Sequence, residues 1–305
     1  MDAEGLQKIA DEYSMDPELI IKLCQLYQTD KNFRIFFDDE PATEPVLSFI
    51  PSVEVRLDLF KQLQTMCHQA TSLQLSATVF AVAMIKPLSR LKEMVKRLQY
   101  KPREYHPVTG SEDAAAIVTD MWDLIPQLTE HAIRVYVTKR CRDWKLAFRV
   151  HPSSECIVSG WSDPAPARIF PILTSKEDLE HFQGSKNALL LNRQLVYWWN
   201  HGRFALKPLR QTDNEIVLQW HWLKRPNLEP SQYIQNDDNL WDIVGTLGWD
   251  EQHPTTHRKS GRRVETGQIY TLRTNDPKDL PSFELLEMQW NFHRMTAVCG
   301  MVLDE

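Results

Sequence analysis

Four tryptophans are spaced so that they could line one site. Trp198 and Trp199 are adjacent in Arg193 to His201, a segment that reads as a helix. Adjacent helical side chains leave the axis about 100° apart, so only one of the two can fully face a given neighbour. Trp220 and Trp222 alternate in Glu215 to Trp222, which reads as a strand and therefore carries both on one face. A helix facing that strand would enclose an apolar space, with Trp198 or Trp199 on one wall, Trp220 or Trp222 on the other, and His201 at the helix end. Such a space suits an apolar small molecule held by shape. The plainer use of the same residues is a Trp-rich core, since most large aromatic side chains simply pack.

Other chemistries lack their residues. The chain has no nucleophile elbow and no paired base beside a Ser or Cys. It has no dinucleotide fingerprint or phosphate-binding loop, so no cofactor is expected. Five cysteines are scattered without a C-x-x-C pair, which fits a reduced, cytoplasmic chain with no structural zinc. Glu177, Asp178 and Glu180 read as dipole partners in the first turn of a short helix rather than as metal ligands. His151, just before Pro152, reads as a loop residue. Arg258, Lys259, Arg262 and Arg263 form the one dense basic cluster, and a solvated turn explains it as well as a nucleic-acid contact does. The net charge of −6 and pI near 6.0 give no basic footprint, which disfavours nucleic acid as a partner.

The elements that must position these residues can be read along the 305-residue chain, 42% of it hydrophobic. Residues 1–140 read as a helical region. Asp16-Pro17-Glu18 caps a helix carrying Leu19, Ile20, Leu23, Leu26 and Tyr27. Pro41, Pro45 and Pro51 mark a loop, and Ser52 is expected to cap a helix with Val53, Leu57, Phe60, Leu63 and Cys67 along one face. Ala77 to Ile85 is the longest apolar stretch and too short to span a bilayer. The N-terminus is acidic and has no hydrophobic signal region. Leu88 to Gln99 reads as a basic amphipathic helix with Lys92, Lys96 and Arg97 on a solvated face. Ser111 to Lys139 reads as one long helix, interrupted at Pro126. Leu146 to Val150 alternates as a strand, Phe204 to Leu206 reads as another, and Gly202 stops the helix before it.

Residues from about 145 to 303 resemble the fungal HNH endonuclease-like domain family. Cys156-Ile157-Val158-Ser159-Gly160 resembles its C-x-V-T-G, and Ala167-Arg168-Ile169-Phe170-Pro171 its A/C-H-I-x-P. Asn187 to Leu206 resembles the Asn, strand, helix and G-x-F-x-L stretch that follows. His257-Arg258-Lys259-Ser260-Gly261 with Thr266-Gly267, and Leu280 to Trp290, continue the likeness, and Ser282 is expected to cap the last helix. The resemblance implies an α+β fold: a helical region over 1–140, then over 141–305 a ββα HNH-like core with extra strands and a C-terminal helix. It also places the family's first His at Arg168, keeps its Asn as Asn187, and places its last His at Val196. Arginine neither acts as a base at neutral pH nor binds a cation, and valine ligates nothing. The resemblance therefore implies a degenerate member that keeps the scaffold and binds no metal.

The resemblance further implies a role in fungal secondary metabolism, and the expected function is a metal- and cofactor-independent enzyme acting there on an apolar terpenoid or polyketide. An intramolecular Diels–Alder cycloaddition fits, with Arg168 or Asn187 polarising a carbonyl. The alternatives are a degenerate nuclease that still binds nucleic acid, with Arg193, Arg203 and His201 beside the core, and a non-catalytic interaction protein. The purified chain is expected to hold no stoichiometric metal and to leave plasmid DNA uncut with magnesium, manganese or zinc. Metal-dependent cleavage that disappears in Asn187→Ala would contradict this.

Overall fold

The computed structural model describes residues 16–31, 35, 41–71, 74–100, 155–162, 164–169, 184–249 and 255–301. His151, Asp163, the segment 111–139, the strand expected at 146–150, the acidic residues 177–180 and the boundary expected between 140 and 141 lie outside the described residues.

Four helices come first among the described residues. In α1, Pro17–Thr29, the Asp16 side chain accepts the Glu18 N–H and Pro17 takes the first turn, as its sequence implies. Helix α2, Val53–Thr71, buries Leu57, Phe60, Leu63 and Cys67 along one face. Ser52 differs from its expected role. Its carbonyl accepts the Arg56 N–H, but its φ is +56°, not the extended backbone from which a serine hydroxyl caps. Helix α3, Ala77–Ile85, follows strand β1, Leu75–Ser76, and is capped by the Ser76 hydroxyl on the Val79 N–H. Seven of its nine residues are buried, so the longest apolar run is a core helix. No described helix is long and apolar enough to cross a membrane. Helix α4, Leu88–Tyr100, buries Leu91, Met94 and Val95 and exposes Lys92 and Lys96.

The second half is mixed. Strands β2, Ala165–Arg168, and β3, Ala188–Leu191, form an antiparallel hairpin, and helix α5, Arg193–Asn200, packs on it. Asn192 caps α5, accepting the Leu195 N–H at 2.8 Å. The helix ends as expected at Gly202, where φ is +58° and the Arg203 N–H reaches back to the Trp198 carbonyl at 2.8 Å. Strands β4, Phe204–Gln211, and β5, Glu215–Trp222, then form a hairpin with Phe204 opposite Trp222. β4 is longer than the three residues expected, because it runs through Pro208. Proline is tolerated there because β4 is an edge strand among the described residues and is bulged between Pro208 and Arg210. Beyond it come β6, Tyr233–Ile234, which pairs with β1; α6, Leu240–Gly245; and β7, Ile269–Arg273, which pairs with β5.

The last helix, α7, Phe283–Val298, closes the structure. The Ser282 hydroxyl accepts the Leu285 N–H at 3.2 Å, the expected cap. Leu286, His293 and Ala297 are fully buried and Trp290 half-buried on the expected face. Gly300 ends it with φ +69°, so close to Leu228 that a Cβ would stand 1.9 Å from the Leu228 oxygen. α7 packs on both β4 and α3, so described apolar residues between 49 and 95 and between 156 and 301 bury their side chains in one continuous core. Leu286→Ala is expected to lower the unfolding free energy by about 2–5 kcal/mol, and Ser282→Ala by about 1 kcal/mol. Urea denaturation measures both, and wild-type midpoints would contradict the role given to α7.

Candidate functional site

The β2–β3 hairpin and α5 bring two of the expected polar residues together. Arg168 lies opposite Ala188, and the next amide, Ile169 N–H, bonds the Asn187 carbonyl at 3.2 Å, so Arg168 and Asn187 are diagonal neighbours at one end of the hairpin. Both are half-buried. Trp199 ties the helix to this end, its indole Nε1 donating to the Arg168 carbonyl at 2.7 Å. Val196, one helical turn earlier on the same side of α5, is half-buried against the core.

The expected tryptophans meet where α5 and the β4–β5 hairpin face each other. Trp220 stacks on Phe204 at 3.9 Å between centroids, and Trp222 meets Trp220 edge-on at 4.8 Å. Trp198 meets Trp222 at 5.6 Å, while Trp199 contacts Phe204 at 5.3 Å and the His293 ring at 4.7 Å. Alternation along β5 thus puts Trp220 and Trp222 on one face, and of the adjacent pair Trp199 points inward. At 1%, 0% and 2% exposure, Trp199, Trp220 and Trp222 are core residues whose rings pack on one another. Trp198 alone of the four is half-buried. His201 does not join them. Its ring lies on Tyr197 at 4.0 Å and its Nδ1 is 2.6 Å from the Tyr197 carbonyl.

Sequence reasoning missed a second group, built where α7 meets the sheet. His293 Nδ1 is 2.8 Å from the Phe204 carbonyl, which can only accept, so Nδ1 carries the proton. The other ring nitrogen then accepts from the Gln289 amide. On β5, Gln219 donates its amide to the Glu44 carbonyl at 2.7 Å, so its oxygen accepts from His221 Nε2 at 3.0 Å. The His221 ring sits against Trp249 at 4.4 Å and Trp290 at 4.7 Å. The Arg294 guanidinium lies over Trp290 and Phe49, at 4.9 and 5.4 Å, and donates to the Phe49 carbonyl. Three buried atoms here have no hydrogen-bond partner among the described residues: His221 Nδ1, Arg294 Nε and the Gln289 oxygen. The available signal was alternation. Gln219 and His221 put polar groups on the face of β5 opposite Trp220 and Trp222, in a strand otherwise buried on both sides.

Burial sets the charge of these groups. It pushes His293 down to about 3, against the opposing pull of the Phe204 carbonyl, and the Arg225 charge lowers it further. Burial also pushes His221 down to about 3, helped by the charges of Lys207 and Arg294. Both imidazoles are neutral at pH 7, able to hold hydrogen bonds but not to donate a proton as an acid. A third network joins two turns of the same shape, Cys156–Gly160 and His257–Gly261, each closed by a glycine at φ +69° and linked by the Arg258 N–H on the Ser159 carbonyl at 2.8 Å. There Tyr270 donates to the Gln268 oxygen at 2.9 Å, and burial raises the phenol well above its usual range, so it is no base. Among the described residues no group of three or more His, Cys, Asp or Glu is placed to hold a metal ion. No family model, curated protein or solved structure matches the chain.

The two histidines give a signed pH dependence. Their folded pKa values lie below the unfolded value, so the unfolded chain binds more protons between about pH 3 and 6.5, and stability falls as the pH drops through that window. Each should remove about 2 kcal/mol between pH 7 and pH 5. His293→Asn, whose amide can still donate to Phe204, should reduce the fall by about that amount. Denaturant titrations at the two pH values measure this, and an unchanged pH slope in the variant would contradict it.

Proposed function

We propose that the chain is a metal-independent protein that binds an apolar small molecule and templates its cyclisation, a Diels–Alder cycloaddition being the reaction that fits best. The observation that carries this reading is that Arg168 and Asn187 are backbone neighbours at the hairpin end where Trp199 docks and Val196 lies one turn away. In the HNH-like reading of the sequence these are the positions of nuclease chemistry, held by residues that can polarise a carbonyl but cannot activate water through a metal. Half-buried Trp198, whose ring meets Trp222 at 5.6 Å, is the candidate aromatic wall. Folding a flexible substrate into its reactive conformer supplies several kcal/mol without acid, base or metal. A place in secondary metabolism rests on the family resemblance alone.

A second reading, a non-catalytic binding module, draws support from the packing of Trp199, Trp220 and Trp222 on one another. The two readings part on one assay. A linear polyene bearing an activated alkene conjugated to a carbonyl is incubated with the full chain, and cyclised product is timed. The expected result is acceleration that is flat from about pH 6 to 9, indifferent to chelator, and reduced about a hundredfold in Arg168→Ala. A bell-shaped pH profile or abolition by chelator would overturn the templating mechanism, and no acceleration across a panel of such polyenes would favour the binding module.

A further inference from the structure

At the far end of the β4–β5 ladder, past the tryptophan array, two arginines converge. The Leu223 N–H bonds the Arg203 carbonyl at 2.9 Å, which sets Arg203 across from Leu223. Alternation in the extended stretch after β5 puts Arg225 on the same side as Leu223, so the two guanidinium groups share one end of the hairpin. Nε and Nη2 of Arg225 are buried and have no hydrogen-bond partner among the described residues. These two nitrogens form one edge of the guanidinium, the side-on fork that takes two oxygens of a single carboxylate or phosphate.

Among the described residues the surroundings supply no counter-charge. Neither arginine forms an ion pair among the described residues. His293 is neutral, and burial holds the Cys299 thiol up at about 11, so it too is uncharged at pH 7. Burial, then repulsion from Arg203, lowers Arg225 to about 10, which leaves it charged. A half-buried cation with a buried, unmet pair of donors is costly, and an oxyanion seated on that edge relieves both the charge and the donors.

We propose that Arg225 and Arg203 form a binding site for an oxyanion, the carboxylate or phosphate group of a small molecule, with Arg225 Nε and Nη2 as the paired donors and Arg203 as the second charge. The site is distinct from the hairpin end at Arg168 and does not depend on the function assigned there.

Thermal unfolding of the full chain in sodium phosphate, sodium acetate and sodium chloride of equal ionic strength tests it. Phosphate or acetate should raise the midpoint saturably above the chloride control, as a ligand of the native state does. The better of the two identifies the group preferred. Arg225→Met removes the unmet cation, so it should fold and lose the saturable response. Arg203→Ala, a surface change, should weaken the apparent affinity about tenfold. The proposal is overturned if neither anion exceeds chloride in the wild-type chain, or if the response survives in both variants.

Discussion

One helix laid along one strand edge organises the molecule. Among the described residues β4 is an edge strand of its sheet, and an open edge presents unpaired backbone groups. α7 covers it, and His293 reaches from the helix to the Phe204 carbonyl at the start of that strand. α7 also packs on α3, the most apolar helix of the described residues, so the same helix that closes the sheet also roofs the helical half. Burial keeps this imidazole neutral, against the pull of the Phe204 carbonyl, and its ring packs edge-on against Trp199.

Charge is used in the same way on the other side of the sheet. The segment 41–51 runs between the halves, and cationic side chains hold it by its backbone carbonyls. Arg294 binds Phe49, and Arg56 binds Pro51 together with the Ala83 and Lys86 carbonyls at the end of α3. Gln219 and the β7 edge hold residues 42 and 44. Buried arginines that satisfy carbonyls rather than carboxylates fix loop conformation, and they gather positive charge in one interior. The depressed His221 follows from that crowding as well as from burial.

Local signals in the sequence carried most of the elements. Gly202 as a helix stop, Ser282 as a cap, and Trp220 with Trp222 on one face each depend on a few neighbouring residues, and each holds in the structure. What depends on distant partners was not legible. Nothing local tells that Trp199 rather than Trp198 turns inward; the Arg168 carbonyl and the Phe204 and His293 rings decide it. The run of β4 through Pro208 is likewise set by its pairing with β5 and the bulge there. His221 with Gln219 and Gln289 with His293 are local pairs, but Glu44, Phe49 and Trp249, which complete the group, come from distant stretches of chain. Of the expected site, Arg168 and Asn187 are neighbours, three tryptophans serve the core, and His201 stands apart.

Native-state hydrogen exchange tests the central claim most directly, that helices α2 to α4 and the sheet with α7 are one cooperative core. The amides of α3, around Val82 and Ala83, and those of β5, around Leu218 and Trp220, are followed together in the full chain. A shared core predicts that both sets exchange only through the same global opening, with equal free energies that fall together in Leu286→Ala. If α3 opened at a clearly lower free energy than β5, or kept its protection when β5 lost its own, the two halves would be separate units and the account built on α7 would be wrong.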